Sequence, residues 1–150
     1  MKDPLITLCG YLLQRAASSA LAGLNQRLAP LGLRHAGVAM LMLVEAHPGI
    51  TQSQAGRILD IQRANMVPFV ARLEGLGVIR RRQVDGRSQA LELTSRGRML
   101  LGRARRAVAA HEAELLGRVP ERLRPAVLPV LMALWQQEEP EAAAAHASGR

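Results

Sequence analysis

Nineteen of the twenty cationic side chains are arginine, and their placement carries most of the chemistry that the sequence offers. Between Thr51 and Arg106 stand twelve arginines against four acids, Asp60, Glu74, Asp85 and Glu92. Outside that stretch cations and acids balance, so the whole formal charge of +8 belongs to the middle of the chain. A field concentrated in this way suits a polyanion such as nucleic acid or an anionic membrane surface. Composition bias alone would spread the charge along the chain. Within the basic stretch, Arg63 can give two donors to guanine O6 and N7, and Asn65 can pair with adenine N6 and N7.

Other chemistries find little to work with. Cys9 is the one cysteine, which excludes an intramolecular disulfide and any multi-cysteine zinc or iron–sulfur site. As a redox sensor it would need a lowered thiol pKa; otherwise it is a small packed hydrophobe. The four histidines, 35, 47, 111 and 146, form no i,i+4 pair and have no Cys or Asp companion at ligand spacing, so no metal is expected. No phosphate-cradling, dinucleotide, metalloprotease or nucleophile-elbow motif occurs, and only three aspartates exist. The chain is expected not to be an enzyme and to need no cofactor.

The elements that must position these side chains are mostly helical. Of 150 residues 49% are hydrophobic but only 2% aromatic (Tyr11, Phe69 and Trp135), so Leu, Val, Ala and Met build the core, which favours packed helices over a β-sandwich. A first amphipathic helix is expected from Asp3 or Pro4 to Ala29, with Leu5, Leu8, Leu12 and Gly23 on one stripe. Leu5–Leu13 is apolar, yet Asp3 and Pro4 spoil a positive leader region and Gln14-Arg15 interrupt it, so a secretory signal is not expected. No run approaches the ~20 apolar residues of a membrane span. The expected location is cytoplasmic, with no membrane partner.

A second helix is expected over 36–46, ended by His47-Pro48-Gly49. Thr51 opens a third to Leu59, and Gln54 three residues later completes a capping-box pattern. Asp60 is read as the next cap, with a helix from Gln62 to Leu76 closed by Gly77. In it Ala64 and Val67 are expected inward, and Pro68 is expected to bend it or shorten its regular part. The two helices and their short turn have a helix-turn-helix shape. The period then changes to two: Val78–Val84 meets Ser88–Leu93 across Asp85-Gly86-Arg87, a strong hairpin signal. Thr94 or Ser95 caps a long helix to about Arg118, and Arg122–Gln137 forms a last amphipathic one. A helix-turn-helix followed at once by a basic hairpin is a winged helix, and the apolar helices flanking it need a partner to cover them.

At this point the sequence resembles the MarR (multiple antibiotic resistance regulator) family of bacterial transcription factors. The residues that carry the resemblance are Thr51-Gln52-Ser53-Gln54-Ala55, the run from Arg72 to Arg81, Val84-Asp85-Gly86-Arg87-Ser88, and Leu91-Glu92-Leu93-Thr94-Ser95-Arg96-Gly97. The Asp-x-Arg wing and the Leu-Thr-x-x-Gly exit are specific in combination. The fold class this implies is mainly α with a small β-hairpin wing. Its expected divisions are an N-terminal dimerisation helix (1–34), a winged helix-turn-helix DNA-binding lobe (35–94), a long connecting helix with a C-terminal dimerisation helix (95–138), and a disordered tail (139–150). The resemblance implies a homodimer on pseudo-palindromic double-stranded DNA, most simply a repressor, released by a small aromatic or anionic effector.

The same resemblance assigns roles. Gln62, Arg63, Asn65 and Met66 open the recognition helix, whose N-terminal end enters the major groove. Arg87 enters the minor groove, with Asp85 orienting it or bracing the wing. Arg80 and Arg82, on one face of the strand, set affinity and salt dependence. Tyr11, Arg15, His35, Met40 and His111 are the polar or soft residues within reach of an effector pocket. Two alternatives stay open: a thiol-switched regulator acting through Cys9, and a winged helix used as a protein-interaction module. Against the first, relatives that sense peroxides support their cysteine with tyrosines where this chain has Gly23-Leu24 and Arg34-His35.

Overall fold

The computed structural model describes residues 3–83 and 89–135. The chain divides into two compact units, Met1–Ala113 and Glu114–Arg150.

In the first unit the N-terminal helix is broken, where one continuous helix was expected. A 3-10 turn over Pro4–Thr7 precedes α1 (Cys9–Leu28), and Leu8 between them is extended. The physical reason is Asp3. Its carboxylate accepts the Leu5 backbone N–H at 2.9 Å and the Tyr11 hydroxyl at 2.9 Å, so a local closed turn competes with helix continuation. A second 3-10 turn, Ala29–Leu31, and Gly32 in the left-handed conformation stop α1. Leu28 is the helix's one buried residue, and Leu12, Leu13 and Leu21 are exposed.

Next come α2 (His35–Ala46), α3 (Gln52–Ile58) and α4 (Arg63–Gly75). The Thr51–Gln54 capping box forms in full: the Gln54 N–H donates to Thr51 Oγ1, and Gln54 Oε1 accepts the Thr51 N–H. Asp60 does not cap α4, contrary to expectation. It takes a positive φ of 50°, and the turn closes α3 instead: Ile61 N–H donates to Gly56 C=O and Asp60 N–H to Arg57 C=O. That pairing of a left-handed residue with two crossed bonds is the Schellman solution to a helix end. Gln62 therefore holds the cap position of α4, with no side-chain bond. The helix runs on through Pro68 to Gly75 rather than ending early, although the ring removes the N–H that the Ala64 carbonyl would have received and crowds that carbonyl.

Strands β1 (Ile79–Gln83) and β2 (Gln89–Leu93) pair antiparallel, with Ile79 opposite Leu93 and Arg80 opposite Glu92. The hairpin is fastened to the helical lobe midway along β2: Leu91 N–H donates to Ile50 C=O at 2.8 Å, and Thr51 bridges Ala90. Buried Val38, Leu41, Val44, Val70, Leu73, Val78 and Leu91 form one core beneath α2, α4 and the sheet.

α5 (Ser95–Gly117) starts where the sequence placed Leu-Thr-x-x-Gly, and the geometry supplies the reason for that motif. Thr94 Oγ1 accepts the Gly97 N–H at 2.9 Å and donates to Gly77 C=O at 2.6 Å, while Thr94 N–H donates to Val78 C=O. A Cβ on Gly97 would stand 2.0 Å from the Val78 carbonyl oxygen. Glycine is what lets the first turn of the long helix press against the base of the wing.

The second unit holds the end of α5, a 3-10 turn (Glu121–Leu123) and α6 (Arg124–Trp135). Pro120 holds the cap position of that turn, which takes up 121–123, so α6 begins two residues later than expected. No residue of α6 is buried, and Trp135 is 79% exposed. The expected continuation to Gln137 and the tail lie outside the described residues, as does the wing tip at 84–88.

Candidate nucleic-acid interface

The exposed face of α4 is fixed by what it buries. Met66, Val70 and Leu73, spaced by four and three, form the inward stripe. Gln62, Arg63 and Asn65 are therefore exposed at the N-terminal end, as the sequence reading required. Met66 departs from that reading. It is 2% exposed, and its Cγ lies 3.0 Å from where a Gly56 Cβ would stand, so it locks α3 to α4 instead of facing outward. Val67, expected inward, is 58% exposed, and Ala64 is exposed too. Counting back from Leu73 through Val70 by helical spacing reaches Met66, which is the signal that would have set the register. An open groove of about 680 Å³ runs between α3 and α4, lined by Gln52, Arg57, Gln62, Arg63 and Val67 among others.

The three strand arginines alternate as a strand must. Arg81 turns toward the helices, pairing with Glu74 at 3.3 Å and donating to Gln52 Oε1 at 3.2 Å. Arg80 and Arg82 share the opposite face, and both donate to Glu92, Arg80 at 3.1 Å. The hydrogen bond from Arg82, with Arg80 beside it, holds the Glu92 carboxyl below the usual carboxylate range. Sequence reasoning missed Glu92, although the cross-strand register that pairs it with Arg80 follows from the hairpin. Asp85 and Arg87 lie outside the described residues. On α5, Arg98 donates to Leu93 C=O and Ser95, and Arg105 pairs with Glu45.

The residues expected near an effector lie on α1, α2 and α5. Tyr11 is spent on Asp3, Arg15 is exposed, and His35 meets Asn25, its backbone N–H donating to Asn25 Oδ1 at 2.8 Å. Met40 has no exposed surface and belongs to the core. His111 is 7% exposed, lies against Gly23 of α1, and has no hydrogen-bond partner for Nε2 among the described residues. None of the five lines the α3–α4 groove or the groove beside Arg80, Arg82 and Glu92. Cys9 is exposed at the first position of α1. Among the described residues no group of three or more His, Cys, Asp or Glu side chains is placed to hold a metal ion, and no single helix is long and apolar enough to cross a membrane.

A capped two-helix unit with an exposed polar helix start, joined to an arginine-bearing hairpin, defines a winged helix-turn-helix DNA-binding protein. Comparison with known proteins narrows this. No family model matches the chain. The HTH-type transcriptional repressor Rv2887 of Mycobacterium tuberculosis is 31% identical over 112 residues, 73% of this chain and 81% of that protein. Solved structures of the transcriptional repressor CouR superpose well. Its complex with a 23-mer DNA duplex has a TM-score of 0.84 at 34% identity, covering 91% of this chain and 99% of that one. Its complex with p-coumaroyl-CoA has the same TM-score at 33% identity, covering 92% and 99%. The MarR-family protein Rv2887 in complex with salicylic acid has a TM-score of 0.69 at 28% identity, covering 89% and 97%. The chain belongs to the MarR family of transcriptional regulators.

Proposed function

We propose that this protein is a homodimeric, ligand-responsive transcriptional repressor that acts by binding and not by catalysis, in the cytoplasm. The observation that carries the reading is the start of α4, where Gln62, Arg63 and Asn65 stand exposed in the basic stretch, in the same compact unit as a hairpin one face of which carries Arg80 and Arg82. Arg63 and Asn65 read base edges in the major groove. Arg80 and Arg82 meet phosphates, and Arg87, supported by Asp85, reaches the minor groove from the wing tip. A second copy covers the exposed apolar faces of α1 and of α6, and sets the two recognition helices about 34 Å apart on successive major grooves.

The effector is a small aromatic carboxylic acid or its thioester. Support comes from the salicylic acid held by Rv2887 and the p-coumaroyl-CoA held by CouR. It works by binding the DNA-incompetent spacing of the two lobes more tightly than the competent one. Selection of duplexes from a random pool, followed by release assays with salicylate and p-coumaroyl-CoA, tests both halves. A recovered inverted repeat that the protein leaves on adding either compound supports the proposal. Recovery of no preferred sequence overturns it.

A further inference from the structure

α4 exposes a small apolar patch in the middle of the most basic part of the chain. With Met66, Val70 and Leu73 facing in, the exposed positions carry Ala64, Val67, Pro68 and Ala71, bordered by the polar Arg63, Asn65 and Arg72. Val67 is 58% exposed, and it is the only large aliphatic side chain of α4 so presented. It lies one residue, about 100°, round from Met66. A β-branched residue is a poor choice for an exposed helix position on propensity alone, and here it neither packs the core nor carries charge. Arg57 and Arg63 border the same groove, so a partner that docks here brings negative charge together with an apolar feature. The thymine C5-methyl is the one apolar group that the major groove displays, on an edge flanked by phosphates.

We propose that Val67, with Ala64 one turn before it, is a specificity-determining residue that reads thymine methyl groups, so that α4 tells T·A from C·G by apolar contact while Arg63 and Asn65 read polar edges. This rests on the DNA-binding reading and adds to it a residue that acts without a hydrogen bond. Pro68 fits the same use: its ring adds apolar surface beside Val67.

The test uses the full-length protein and the duplex selected from a random pool. Each thymine of the half-site is replaced in turn by deoxyuridine, which removes the methyl and leaves base pairing intact. Burial of one methyl corresponds to about a four-fold change in affinity, so symmetric replacement in both half-sites weakens binding on the order of fifteen-fold. Val67→Ala, an exposed change that leaves the core intact, is expected to bind the thymine duplex more weakly and to be indifferent to the replacement. Deoxyuridine duplexes that bind wild type as well as thymine duplexes do would overturn the inference. So would an equal loss in wild type and Val67→Ala, which would place methyl recognition on another residue. A selection that recovers a sequence, followed by either of these results, refutes Val67 alone. A selection that recovers none refutes the DNA-regulator reading and this inference with it.

Discussion

Replacing Gly97 by alanine tests whether the wing and the long helix are joined as described. Glycine inside a helix ordinarily costs about 1 kcal/mol relative to alanine, so the substitution would stabilise an unconstrained helix. Here the added Cβ would lie 2.0 Å from the Val78 carbonyl oxygen and 2.9 Å from its carbon, backbone atoms that cannot swing aside as a side chain tip can. Relief needs a shift of an ångström or more at the wing base. Such a shift stretches the Thr94 bonds to Gly77 and Val78, 2.6 and 3.1 Å as they stand. Overpacking at ~1–3 kcal/mol and two weakened hydrogen bonds at ~1 kcal/mol each outweigh the propensity gain, leaving a net loss of about 2–4 kcal/mol. Urea unfolding followed by far-ultraviolet circular dichroism, at fixed protein concentration because a dimer's stability depends on it, reads this directly. Gly102→Ala in the same helix is the control, since nothing lies within 4 Å of its Cβ position. It should be neutral or stabilising. If Gly97→Ala moves the midpoint in the same direction as Gly102→Ala, the close approach is wrong.

Other perturbations follow the same logic. Glu92→Gln removes the carboxylate that holds Arg80 and Arg82. Non-specific DNA affinity should rise, and the slope of log affinity against log salt should steepen by about 0.9 for each phosphate newly contacted; unchanged affinity and slope would show that Glu92 does not restrain them. Asp60→Gly should raise stability and Asp60→Val should lower it by about 1 kcal/mol, because the left-handed backbone penalises a β-branched side chain most. Equal stability of the two variants would argue against the Schellman turn. The Asp3 carboxyl is held below its ordinary pKa by the Leu5 N–H and then the Tyr11 hydroxyl. Its contribution to the N-terminal turn is therefore present above the ordinary carboxyl range and lost as pH falls through the depressed value. In an NMR titration, Tyr11→Phe should move the Asp3 pKa upward, and a value unchanged by that substitution would remove Tyr11 from the account.

What the sequence made legible was local chemistry. The Thr51–Gln54 capping box, the antiparallel pairing of the two strands that flank 84–88 and the helix starting after Thr94 are set by residues close to one another in sequence, and each forms. Features that depended on a choice between near-equal local options were misread. Asp60 and Gln62 both lay where α4 could begin, and only the left-handed closure of α3 decides between them. On α4, Ala64, Met66, Val67, Phe69 and Val70 offer two competing apolar stripes. The small Gly56 on α3, which makes room for the Met66 side chain, selects one of them. Asp3 reaching Tyr11, and Glu92 gathering two arginines, are tertiary or register-dependent contacts with no composition signature. The burial of Met40 and His111 was not legible either, because it depends on which helices pack together and not on the chemistry of the single residues.

The most direct measurement is a salt-titrated binding isotherm on the duplex upstream of the protein's own gene, against scrambled DNA of equal length. The account predicts preferential binding of the native duplex by a factor of at least ~10³, with a slope that reports several neutralised phosphates. Equal affinity for the two duplexes, or no binding of either at low salt, would contradict it.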